Sequence, residues 1–255
     1  MIIRNEQNNV LTQSAEVGYV ASAVEHLKKY NPLLAISAGQ SGLENLARKG
    51  LKDARRYGLA DGRSLQLYLE LMMTLGSGFD SDPQFCWLHP FLQKMDGVGS
   101  VARARLLHFH ATAYLDRAYG VKWEFGNAAI KRAIQINPEQ LRVVGSGIGT
   151  GSLQLLHSIH PERMDFLDRY SLESLMTQAV NEAASARLLH PEGVGLLFLL
   201  KFAFGHEICS DPLHPWFVRK LNEESGRSES ERMEWLTDRT RKYMETMLQQ
   251  QMETS

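Results

Sequence analysis

The chain has 255 residues, of which 44% are hydrophobic and 22% charged, the make-up of an ordinary globular protein with material for one large core or two modest ones. Its formal net charge of −1 excludes the basic excess of a general nucleic-acid binder, and two cysteines, Cys86 and Cys209, set up no disulfide framework.

In chain order, the opening MIIRNEQNNVLTQ turns polar after two apolar residues, so it is not expected to be a signal peptide. Leu43, Leu46, Ala47, Gly50, Leu51, Ala54 and Tyr57 then recur at helical steps and predict an amphipathic helix. Arg48, Lys52, Arg55 and Arg56 lie on its opposite face. A second helix is expected from Asp61 to a glycine stop at Gly76, where a left-handed cap would end it. Next comes SDPQFCW (81–87), in which Asp82 reads as an N-cap and Pro83 as the first residue of a short helix, with Trp87 folding back onto the core. A further helix is predicted through Ala104, Leu107, Ala111, Tyr114 and Leu115.

The pattern then repeats. SDPLHPW (210–216) follows SDPQFCW at a shift of 129, and the same shift pairs Pro32 with Pro161, Leu43-Glu44 with Leu172-Glu173 and Gly76 with Gly205. It goes on to pair Trp87 with Trp216, Arg103 with Arg232 and Tyr114 with Tyr243. Two copies are too few for a solenoid, so the expectation is a tandem duplication of one helical module in an all-α protein. The modules would occupy residues 1–118 and 137–247, joined by a connector at 119–136 and followed by a frayed tail at 248–255. LRVV (141–144) is the one weak strand candidate. Asp211 and Pro212 should open a short helix as Asp82 and Pro83 do.

No segment carries recognisable catalytic chemistry. VVGSGIGTGSLQLL (143–156) is rich in glycine, but a dinucleotide fingerprint would need glycine where Thr150 stands, and a P-loop would need a lysine. The stretch aligns with EVGYVASA (16–23), so a flexible segment or a close helix crossing is expected, with nucleotide binding or an enzyme site over 145–151 as an alternative. Asp80 and Asp82 form a weak carboxylate pair, since the shift replaces Asp80 with Cys209. The histidines supply no metal set: His108 and His110 diverge on a helix, and His157 with His160 lack further ligands. The expectation is a non-enzyme with no cofactor and no metal.

Two differences between the copies point to partner binding. The basic face of Arg48, Lys52, Arg55 and Arg56 is replaced by Thr177, Asn181, Ala184 and Ser185, so it is either a solvated face or a dock for an acidic patch. The polar stripe Gln66, Glu70, Thr74 is replaced by Gly195, Leu199 and Ala203, which makes the later helix apolar nearly all round. Such a helix is expected either to be buried on every side, so that Leu199→Asp would destabilise strongly, or to line a groove for an apolar segment of another protein. The run VGLLFLLKFAF (194–204) is too short to span a bilayer.

Arg56-Tyr57-Gly58-Leu59, Leu71-Met72, Leu75-Gly76, Phe79-Asp80-Ser81-Asp82-Pro83 and Trp87 resemble a pattern in small helical accessory proteins encoded beside type VI secretion spike, tip and effector genes. The resemblance covers residues 40–90 and carries no catalytic residues. It implies a cytoplasmic adaptor or chaperone that loads an effector, or an immunity protein that neutralises a toxin. The expected partner is another protein: a secreted effector, a spike or tip protein, or a toxin.

Overall fold

Asparagine, aspartate and proline decide where the helices begin. The computed structural model describes residues 5–59, 61–93, 97–222 and 228–254, and their side chains other than those of 5–15, 220, 222 and 251–254. After α1 (Asn5–Tyr30), the Asn31 side chain accepts a bond from Leu34 N at 3.1 Å and Pro32 opens α2 (Pro32–Arg56), which breaks at Gly39 (φ 68°). Asp61 caps α3 (Gly62–Leu75) through Ser64 N, and Asp82 caps a 3-10 helix (Pro83–Leu88) that leads into the one-turn α4 (His89–Leu92) and then α5 (Ser100–Ala118). The connector region carries α6 (Glu124–Ile134). Beyond it run α7 (Pro138–Gly145), α8 (Thr150–Ile159), α9 (Pro161–Met164) and α10 (Arg169–Ser185). The chain then continues through α11 (Pro191–Phe204), α12 (Pro215–Asn222) and α13 (Glu229–Thr254). Among the described residues there is no strand, so the chain is all-α; LRVV lies inside α7.

Local geometry recurs at the 129-residue offset. α3 and α11 begin and end 129 positions apart. His160 takes the place of Asn31 as a cap, its Nδ1 accepting from Arg163 N at 3.3 Å. Arg103 donates to the carbonyls of Leu92, Gln93 and Tyr57, and Arg232 donates to those of Leu221 and Ala186. Trp87 and Tyr114 rings lie 5.0 Å apart at 41°, and Trp216 and Tyr243 lie 5.0 Å apart at 40°.

Two apolar cores form, one of residues from Val20 to Ala118 and one from Ile136 to Met244, and the first borrows from the second half. Leu213 is buried in the first core, and Phe166 packs edge-on against Tyr114 at 4.9 Å. The halves also trade hydrogen bonds reciprocally. Asp82 Oδ2 accepts from His206 N at 2.8 Å, while Asp211 Oδ2 accepts from Ser77 N at 3.0 Å. Between these bonds Gly76 (φ 103°, ψ 151°) and Gly205 (φ 104°, ψ 155°) meet back to back. A Cβ on Gly76 would lie 2.7 Å from Phe204 O, so both the positive φ and the close approach require glycine. Their ψ values differ from those of a left-handed helix cap, because the mutual contact, not helix termination alone, fixes these residues.

Two expectations are corrected here. Pro212 opens a turn and not a helix: His214 and Pro215 postpone the helix to Pro215, although Asp211 Oδ1 still accepts from Leu213 N at 2.8 Å. From residue 248 the chain continues as the last turns of α13 to Thr254. The expected burial of α11 on every side also fails, as described below.

The buried face of α11 contains one charge. Lys201 is 0% exposed; its Nζ lies 2.8 Å from Glu182 Oε2 and also donates to His206 O. The first half has Met72 at the equivalent position. Lys201→Met is therefore expected to leave stability within about 1 kcal/mol of the parent, because apolar packing replaces a desolvated ion pair. Glu182→Ala, which strands the ammonium, should cost about 3–5 kcal/mol. Urea unfolding of the two variants tests the ordering. Cys209 adjoins this pair, and burial together with Glu182 pushes its thiol pKa well up.

Candidate functional site

A cavity of about 1020 Å³ lies between the halves, walled by α6, α11 and α13 and bordered by the start of α2. Its origin is in the sequence of α11. That helix directs Gly195 at α7 and buries Phe198, Lys201 and Phe202, leaving Leu199 half-buried and Ala203 exposed along the cavity wall. Facing it, α6 contributes Ile130, Ala133 and Ile134, and α13 lines the cavity from Thr237 to Gln250. The volume lies at the upper end of the range for ligand and segment-binding clefts.

The mouth is apolar and open. Tyr30 is 44% exposed, Ile36 75% and Trp123 41%, and all three line the cavity. Trp123 holds a left-handed backbone (φ 59°, ψ 20°), an outlier for a bulky residue that places its ring 4.9 Å from Tyr119.

The inner wall is polar and basic. Arg163 is 2% exposed, packs against the rings of Phe202 (4.9 Å), Phe85 (5.8 Å) and Tyr119 (5.9 Å), and donates from Nη2 to Gln84 Oε1 at 3.0 Å. Gln84 passes the contact on, its amide nitrogen lying 3.3 Å from Asp82 Oδ2. Arg163 Nε, His160 Nε2, Asn127 Oδ1 and Thr240 Oγ1 are buried on lining residues without a hydrogen-bond partner in the protein. The charged lining residues are Lys122, Arg163, Arg239, Arg241 and Lys242, and no Asp or Glu lines the cavity among the described residues.

His160 carries a pH dependence. Burial, and next the Arg163 charge, lower its pKa to about 4 from an ordinary 6.5. The unfolded chain then binds the proton more readily, so stability is full above about pH 6.5 and falls as pH drops towards 4. The expected loss is about 2 kcal/mol once solvent screening from the open cavity is allowed for. His160→Asn, which keeps a cap of the Asn31 kind, should flatten this part of the pH–stability curve. His214, whose pKa is lowered by burial against the opposing pull of Asp211, leaves a residual slope of the same sign.

The residues expected to bind a partner divide. Leu199 and Ala203 meet in the cavity wall. Gly195 does not belong with them: a Cβ there would lie 2.0 Å from Leu141 O, so this position is used up in the crossing of α11 with α7. Arg48, Lys52 and Arg55 are exposed, and Arg48 lies 4.0 Å from Glu16. Arg56 is exposed as well, but its guanidinium is bound to buried Asp80 at 2.9 Å and to Tyr57 Oη at 2.9 Å. None of the four lines the cavity. Asp80 is held by Arg56 while Asp82 accepts from Gln84 N and His206 N, so the two aspartates serve different structural contacts.

Sequence reasoning missed Arg163, Arg239 and Arg241, although the 129-residue shift held the signal: the first half has Leu34, His110 and Thr112 in their places. The glycines of 145–151 have structural uses. A Cβ on Gly145 would lie 1.8 Å from Pro191 O, and Ser152 Oγ donates to Gly147 O at 2.5 Å. Among the described residues no group of three or more His, Cys, Asp or Glu could hold a metal, and no helix is long and apolar enough to cross a membrane. No family model, curated protein or solved structure matches the chain.

Proposed function

We propose that this chain is a non-enzymatic, cytoplasmic accessory protein whose cavity receives an apolar segment of another protein, acting as an adaptor or chaperone for a type VI secretion effector. The observation that carries the binding reading is the open apolar mouth: Tyr30, Ile36 and Trp123 stay exposed around the cavity walled by Leu199 and Ala203. Large exposed apolar side chains gathered at one cleft mark an interaction site, and the strained backbone of Trp123 fits a residue held in place for contact. The link to type VI secretion rests on the resemblance of residues 40–90. An immunity protein is the weaker reading, because a toxin's basic or metal-bearing cleft calls for acidic residues and this cavity is lined by basic ones. We also infer that the two halves descend from a tandem duplication, with modules at 1–118 and 137–247. The recurrence of capping, arginine and tryptophan–tyrosine contacts at a 129-residue offset supports that descent.

The test combines capture and stability. A photo-crosslinking residue at position 36, used in the native host, is expected to trap one secreted protein through an apolar segment. Leu199→Asp is expected to abolish the crosslink while leaving the melting temperature near that of the parent, since the side chain faces the open cavity. An undiminished crosslink in Leu199→Asp would refute the reading.

A further inference from the structure

The cavity's charge narrows what its occupant can be. We infer that it is an amphipathic helix whose apolar face is flanked by acidic side chains; this rests on the protein-binding reading above. A chain of net charge −1 has placed Lys122, Arg163, Arg239, Arg241 and Lys242 around one apolar cavity, with no acidic lining residue among those described. Lys122 stands beside α6, while Arg239, Arg241 and Lys242 stand on α13, so positive charge borders the cavity from two walls. Some of this charge is already engaged: Lys242 pairs with Asp238 at 2.8 Å, and Arg241 Nε donates to Ile134 O at 3.2 Å. Lys122 and Arg239 are exposed. A cleft of one sign with low-dielectric walls focuses its field, and guanidinium groups match carboxylates in bidentate geometry.

The shape favours a helix over an acyl chain. From Thr237 to Gln250 the α13 wall runs about 20 Å at the helical rise, enough for three to four turns of a partner helix. An acyl chain would be enclosed, whereas here Ile36 at 75% exposure and Trp123 at 41% remain for a partner's flanks to cover.

The experiment uses two labelled peptides that share a leucine face, one flanked by glutamate and the other by lysine, titrated against the full chain by fluorescence anisotropy. The glutamate peptide is expected to bind at least about tenfold more tightly at low salt, and the gap should close as salt rises. The variant Lys122→Glu/Arg239→Glu, at two exposed positions and checked by circular dichroism for an unchanged fold, should reverse the preference. Equal binding of the two peptides, or a preference that the variant leaves unchanged, overturns the charge inference and leaves the protein-binding reading standing. Failure of both peptides while dodecanoate displaces an apolar dye from the cavity overturns both, and so does failure of all three probes.

Discussion

Arg103→Ala is expected to lower the stability of the chain by about 3–5 kcal/mol, among the largest effects of any single substitution that leaves the apolar core untouched. Arg103 is 3% exposed and its two terminal nitrogens hold three carbonyls: Leu92 O at 2.8 Å, Gln93 O at 3.1 Å and Tyr57 O at 2.9 Å. These oxygens belong to the end of α4 and the end of α2, so one side chain ties two helix termini to α5. Truncation leaves buried acceptors without a donor, which costs more than a net hydrogen bond is worth. Arg103→Lys should recover little, because a single ammonium cannot fork across carbonyls on separate elements. Arg232, half-buried and bonded to two carbonyls, should lose only about 1–2 kcal/mol as alanine. Urea unfolding decides it: the midpoint should fall at an unchanged m-value, and an Arg103→Ala midpoint no lower than that of Arg232→Ala would refute the account.

The second large effect is expected at the crossing of α7 and α11. A Cβ at Gly145 would lie 1.8 Å from Pro191 O, and one at Gly195 would lie 2.0 Å from Leu141 O. Both obstacles are backbone, so no rotamer change relieves them and the helices must move apart. Each alanine substitution should cost about 3 kcal/mol or more, at the upper end of overpacking penalties. The double variant tests the geometry more sharply. Once the helices have separated for one Cβ, the second finds room, so the combined loss should fall short of the sum by about 1 kcal/mol or more. Strict additivity in a thermal or urea denaturation cycle would mean that the two glycines are not facing one another across a single contact.

What the sequence made legible were local and periodic features. Apolar spacing identified the helical class, aspartate and proline identified starts such as Asp61 and Pro83, and the pairing of Arg103 with Arg232 aligned equivalent positions. The limits are equally physical. Asp82 was readable as an N-cap through its bond to Gln84 N, but its second oxygen receives His206 N from 124 residues away, and no spacing encodes that. Gly76 and Gly205 read as helix stops, yet it is their contact with each other that requires glycine. The cavity was half legible: the apolar face of α11 named Leu199 and Ala203, but the basic lining is assembled from α9, α13 and the stretch before α6. Each contributes one or a few residues that look like ordinary surface in their own segment. Gly195 shows the opposite error, a divergent residue taken for a binding position because its crossing helix, α7, could not be placed.

The exchange of groups between the halves bears on how the protein is made. While a ribosome is still synthesising the second half, the first has Asp82 without its His206 donor, Ser77 without Asp211 and a gap where Leu213 belongs. Domains that fold as independent units can close during translation, but this one must wait with apolar surface uncovered until the residues around 213 have emerged. Deletion of everything after residue 118 should therefore yield a chaperone-dependent or aggregating product. The intact chain should unfold in one cooperative transition that reports on both halves at once.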